Sequence, residues 1–175
     1  MNRRAAVRNI VIISAGASII PSCTSSTNES SLHLKHVPVT ASQENMLAEL
    51  TETIIPKTKN FIGAKELKSH EFILTMVDDC ATPEDQKTFT QSMKAFEDAC
   101  KKKFNADFLK CTPAQRNELL KELESGNGEK DDAVKFYKTI KQYTIQSFTS
   151  GKDYLTNVVK WKITPGSNFR GCVPV

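Results

Sequence analysis

Apolar residues recur at helical spacing along most of this chain. Met46, Leu47, Leu50, Ile54 and Ile55 lie three and four positions apart, which puts them on one face of a helix. Thr40 and Gln43 stand just ahead as a capping-box pair, and Pro56 closes the run. Residues 56–63, PKTKNFIG, read as a loop. A second helix is expected from Ala64 to Asp79, burying Leu67, Phe72, Ile73, Met76 and Val77 and closing at Asp78-Asp79-Cys80.

Thr82-Pro83-Glu84-Asp85 is the clearest helix start: an N-cap threonine, proline at the first helical position, then acids beside the positive helix end. Phe89, Met93, Phe96 and Cys100 follow on one face, and Lys101-Lys102-Lys103 suits the negative end of that helix. Thr112-Pro113-Ala114-Gln115 repeats the start signal ahead of Leu119, Leu120 and Leu123, with a stop at Ser125-Gly126-Asn127-Gly128. The stretches after the two Thr-Pro starts do not match, so no internal repeat is read. A last long helix is expected from Asp131 to Ser150, carrying Phe136, Tyr137, Ile140, Tyr143 and Phe148. Beyond it, Val158-Val159-Lys160-Trp161-Lys162-Ile163 has the β-branched, alternating character of an extended segment. The pattern therefore predicts a mainly α fold: a small domain of about five helices with an irregular, extended C-terminal tail.

Ile10 to Ile20 is an apolar stretch of another kind. It is eleven residues long, whereas a bilayer-crossing helix takes about 20, and Arg3, Arg4 and Arg8 precede it. Residues 1–22 read as a signal peptide. The Arg3-Arg4 pair makes it twin-arginine-like, a route that carries folded cargo, so the expected location is periplasmic. Ile20-Pro21-Ser22-Cys23 resembles a lipobox, which makes Cys23 a candidate lipidation site and membrane anchor. Residues 23–40 include the Ser- and Thr-rich TSSTNESSLHLKH and read as a flexible tether. Residues 41–175 then form one helical domain with a single core.

The leader also changes the charge. The chain has 24 Lys+Arg against 20 Asp+Glu, and the leader holds three of the arginines and no acid, leaving 21 against 20. Such a balance offers no basic face with which to displace phosphate counterions, so nucleic-acid binding is excluded.

Chemistry is hard to place. The seven glycines form neither a GxGxxG nor a GxxxxGK[ST] pattern. Asp78-Asp79 and Asp131-Asp132 are sequence neighbours that diverge by about 100° on a helix, so they read as a helix end and a solvated helix start. His33 and His36 fall in the tether without ligands at metal spacing. His70 has neither a nucleophile nor an orienting group in evidence. No catalytic, cofactor-binding or metal-ligating residue is nominated. Apart from Cys23, the cysteines are Cys80, Cys100, Cys111 and Cys172, with no CxxC among them. An even set in an exported chain points to disulfides, and three connectivities exist. The favoured one joins Cys80 to Cys172, stapling the tail to the second helix, and Cys100 to Cys111, closing a short loop. Buried free thiols are the alternative, above all for Cys100.

Several separated stretches together resemble a known family. They run in order as Leu50-Thr51-Glu52-Thr53-Ile54-Ile55-Pro56, Gly63-Ala64, His70-Glu71-Phe72-Ile73, Met76-Val77-Asp78-Asp79-Cys80 and Thr112-Pro113-Ala114-Gln115-Arg116. Tyr143 to Ser150 and Gly171-Cys172-Val173-Pro174 complete the set. The chain resembles subunit 3, the small subunit, of gluconate 2-dehydrogenase. It departs at Lys59-Asn60-Phe61-Ile62-Gly63-Ala64, where that family commonly has a Thr-Pro-Gly-Ala turn. The resemblance implies a non-catalytic accessory subunit of a periplasmic dehydrogenase complex. Its partner would be a large FAD-bearing flavoprotein of the glucose–methanol–choline type, with a cytochrome c subunit as a further partner. Tyr154, Leu155, Trp161 and Phe169 are the candidate partner contacts. A free-standing exported lipoprotein or binding module is the alternative.

Overall fold

A computed structural model of the chain describes residues 30–126 and 131–161. Six α-helices and one short 3-10 helix make up these residues: α1 (Ala41–Ile54), α2 (Ser69–Cys80), α3 (Pro83–Phe104), the 3-10 turn (Phe108–Lys110), α4 (Pro113–Ser125), α5 (Asp132–Ser150) and α6 (Lys152–Asn157). There is no strand among the described residues, so the mainly α expectation holds.

The starts are the ones the side chains announce. Thr40 with Gln43 and Thr112 with Gln115 form reciprocal capping boxes, and Thr82 accepts from the Asp85 N–H. Each satisfies backbone donors that the first helical turn leaves free. α3 ends at Asn105 in a left-handed conformation (φ 52°), with Lys101, Lys102 and Lys103 in its last turn.

Helix α5 is the hub and packs against every other α-helix. Its Phe136 lies between Phe89 and Phe96 of α3, with ring centroids 5.5 and 5.4 Å apart, and Phe96 continues to Phe108 at 5.4 Å. Ile140 is fully buried in the same core, alongside Leu47 and Leu50 of α1 and Ile73 and Leu74 of α2. Full burial of such a side chain is worth about 1.5–3 kcal/mol, so this spine carries much of the fold.

Three local expectations are corrected. Helix α2 begins at Ser69 rather than Ala64, because residues 64–68 turn and Lys68 adopts a left-handed conformation (φ 60°). Leu67 thus precedes the helix, and Leu74 joins Ile73 and Val77 in the core. Val158 to Trp161 do not extend: the N–H groups of Val159 and Trp161 return to the carbonyls of Tyr154 and Leu155, and Lys160 has φ 57°. With no strand to pair with among the described residues, the β-branched pattern gains nothing from an extended backbone. Residues 162–175 and 1–29 lie outside the described residues.

The third correction concerns the tether. From Ser30 onward the segment expected to be flexible lies against the helices. Val37 is buried, and Leu32, Leu34 and Val39 pack on the core. Two acids hold it. Glu44 in the first turn of α1 accepts from the N–H (2.6 Å) and hydroxyl of Ser31. Asp78 accepts three backbone N–H groups, from Lys35 (2.8 Å), His36 (2.7 Å) and Val37 (2.8 Å). Asp78 is only 4% exposed, so it is no solvated helix end; its neighbour Asp79 is exposed.

Burial raises the pKa of the Asp78 carboxyl, but the three N–H donors outweigh it and hold the group below the ordinary aspartate value. A lowered folded pKa means stability that is present above the unfolded value and lost as pH falls through the folded one. Asp78→Asn replaces part of the acceptor with a donor facing N–H groups. It should cost about 2 kcal/mol at neutral pH and flatten the acid limb of stability, both measured by urea unfolding across pH. Proteolysis within residues 30–40 should quicken in the same variant.

Candidate functional site

The C-terminal end of α5 builds the best-defined surface feature. Phe148 near the end of α5 meets Tyr154 of α6 in a tilted pair (5.7 Å) and Phe61 of the 56–63 loop edge-on (6.4 Å), while Leu67 lies alongside Gly151. This aromatic row seats α6 on the bundle. The chain then leaves α6 with its backbone still bonded to it: Val158 and Val159 donate to Tyr154 at 2.9 and 3.1 Å, and Trp161 to Leu155 at 2.9 Å. The side chains so held are apolar and open to solvent, Val158 at 46%, Val159 at 51% and Trp161 at 54% exposure. Of the candidate contacts, Tyr154 and Leu155 are half-buried and Trp161 is exposed. Phe169 lies outside the described residues.

A groove of about 530 Å³ opens between α2, α3 and α5, lined by Val77, Ala81, Phe89 and Tyr143 with Lys135 and Cys80 at its sides. Asp85, Thr88, Ser92 and Thr139 complete its lining, which holds no histidine. Among the described residues, no group of three or more His, Cys, Asp or Glu could hold a metal ion, and no helix is long and apolar enough to cross a membrane. His70 is half-buried on α2, with a buried Nδ1 that has no hydrogen-bond partner. Burial holds its pKa below the ordinary histidine value, opposed by the charges of Glu71 and Glu44.

The cysteines separate into two groups. Cys80 is an exposed thiol at the end of α2. Cys100 and Cys111 are buried thiols whose Sγ atoms lie 3.5 Å apart. Cys172, its expected partner Cys80 notwithstanding, lies outside the described residues, as do Arg3, Arg4 and Cys23.

The sequence model described as gluconate 2-dehydrogenase subunit 3 matches residues 41–166, which is most of the chain. This chain belongs to that family. No curated protein and no solved structure is significantly similar to it. Membership implies association with other subunits of a dehydrogenase complex.

The stretches that carry this subunit 3 likeness act as joints between its helices. Glu52, near the end of α1, accepts from the N–H groups of Lys57 (2.8 Å) and Lys65 (3.0 Å), closing the loop between them. A Cβ at Gly63 would overlap that carboxylate, and Ala64 beside it is fully buried. A larger residue there would make the Glu52 carboxylate shift away from the two N–H groups it accepts from. Asp78 holds the N-terminal segment. Gln86 caps the end of α2, its amide donating to the carbonyls of Val77, Asp78 and Ala81.

Arg116 is the third joint. Its guanidinium donates to Glu49 of α1 (2.6 Å) and to the carbonyls of Phe108 (3.1 Å) and Leu109 (3.0 Å), and it lies 5.1 Å from the Phe108 ring centroid. Its side chain is only 14% exposed. Glu49 bonds Lys65 on its other oxygen, and these two cations, Lys65 first, hold its pKa low against burial. Neither Glu49 nor Glu44 was nominated from sequence, since nothing local distinguishes them from other acids on α1.

Lysine cannot reproduce a fork that reaches three acceptors. Arg116→Lys should destabilise the domain by about 2 kcal/mol, measured by chemical denaturation, with the loss diminished in a Glu49→Gln background.

Proposed function

We propose that this chain is a non-catalytic small subunit of a periplasmic, FAD-dependent sugar or sugar-acid dehydrogenase complex. It binds the large flavoprotein of glucose–methanol–choline type, stabilises it and supplies its export signal. The observation that carries this reading is the family match over residues 41–166. The Arg3-Arg4 leader fits a route for folded cargo, and the cargo that must fold around a cofactor is then the partner. FAD belongs to that partner, and a cytochrome c subunit would take its electrons.

The exposed Val158, Val159 and Trp161 supply a fitting contact. A large aromatic held on a hydrogen-bonded backbone loses little freedom on binding, which is why tryptophan is enriched among the residues that dominate interface energy. Acylation of Cys23 would moor the complex at the membrane, with the residues between Cys23 and Ser30 as the spacer.

Changing Arg3 and Arg4 to Lys should leave the flavoprotein in the cytoplasm, read by fractionation and dehydrogenase activity in the periplasm. Normal export of the flavoprotein would sink the escort role and favour a free-standing lipoprotein. Separately, Trp161→Ala should weaken co-purification of the flavoprotein by tenfold or more, about 2 kcal/mol, while leaving the thermal unfolding of this chain unchanged.

A further inference from the structure

Cys100 lies in the last turns of α3 and is fully buried; Cys111 caps the 3-10 turn and is 5% exposed. The chain between them reverses at Asn105, in the left-handed conformation that ends α3. Arg116 then ties the 3-10 turn down through the carbonyls of Phe108 and Leu109, and Phe108 packs on Phe96. Non-covalent contacts alone therefore bring the two sulfurs to 3.5 Å. Closing it to a bonded S–S length of about 2.05 Å takes an approach of about 1.5 Å between the sulfurs.

We propose that Cys100 and Cys111 form an intramolecular disulfide after the domain has folded, by exchange with an external organic disulfide that enters at Cys111. The exchange balances in two steps. The Cys111 thiolate attacks one sulfur of the donor, forming a mixed disulfide and releasing the donor's other sulfur as a thiol. The Cys100 sulfur, its proton leaving to solvent, then attacks the Cys111 sulfur and expels the second donor thiol. Two protein thiols are oxidised and one donor disulfide is reduced to two thiols.

The order follows from position. Cys111 belongs to a surface connection whose neighbours Leu109 and Lys110 are exposed, whereas Cys100 is enclosed between α3 and the core. Burial and the neighbouring Cys111 also push the Cys100 thiol up to about 12, which withholds it as the first nucleophile. Within the mixed disulfide, proximity makes it the resolving sulfur. A chain exported folded would in this way acquire its cross-link without unfolding. The proposal concerns this chain and an oxidant only, so it stands or falls apart from any flavoprotein partner.

The full chain, reduced and native, is treated with glutathione disulfide, quenched in acid, alkylated and digested with trypsin. Expected is a linked pair of peptides, residues 95–101 and 111–116, with the loss of two hydrogens and of two alkylatable thiols. In Cys100→Ser the reaction should stop at a glutathione adduct on Cys111; in Cys111→Ser, Cys100 should stay unmodified while the protein is native by circular dichroism. Exposed Cys80 reports that the oxidant has acted. The pairing is overturned if Cys100 and Cys111 both remain alkylatable once Cys80 has reacted, or if either is linked to a different cysteine. An adduct on Cys100 in native Cys111→Ser overturns the order of attack. The wild-type peptide map needs no variant to fold.

Discussion

Burial of one helix governs this molecule. α5 contributes Phe136, Tyr137 and Ile140 to the core and meets every other α-helix, so the other helices are arranged by what its apolar faces require. Phe136 couples to both Phe89 and Phe96, which ties α3 to α5 over two turns. Dense packing of this kind leaves little room for a ligand in the centre. The surface features lie instead at the ends and edges: the groove beside Phe89 and Tyr143, and the apolar residues after α6.

Polar groups settle the joints that apolar packing leaves open. Glu52 closes the loop after α1, Arg116 binds α1 to the 3-10 turn, and Asp78 fastens the N-terminal segment across the end of α2. Asp78 satisfies backbone N–H groups more than 40 residues away, and Glu52 satisfies those of Lys57 and Lys65. Arg116 caps the nearby Phe108 and Leu109 carbonyls while reaching the distant Glu49 side chain. Stretches that mark the family thus locate these joints. For a chain whose family implies association with other subunits, such joints matter because they hold the outer surface in one shape.

Two features bear on the export proposed above. On that proposal the Arg3-Arg4 leader would specify the route, and the Cys100 and Cys111 thiols are already opposed when the fold is complete. Folded export and late cross-linking are compatible on these terms, since neither requires the other helices to open. The apolar residues from Val158 to Trp161 remain outside the core, where a partner subunit could cover them.

The helical plan was legible from sequence because its signals are local. Periodicity and the Thr40, Thr82 and Thr112 caps act within a turn or two, and they located the starts of α1, α3 and α4 at once. The Gly63-Ala64 and Thr112 to Arg116 stretches likewise marked the family. What they do was not legible, because Glu52 meets Gly63 and Arg116 meets Glu49 only after the chain has folded back. Asp78 and Asp79 are chemically the same pair of acids in the sequence. Tertiary structure alone buries the first against three N–H groups and leaves the second in water. Val158 to Trp161 differ in that a local contact overrides their β-branched pattern: the N–H groups of Val158, Val159 and Trp161 donate to carbonyls of α6 four to six residues back. Short-range signals set which segments are helices; long-range contacts set where the polar anchors and open apolar residues fall, since those depend on neighbours the linear chain does not name.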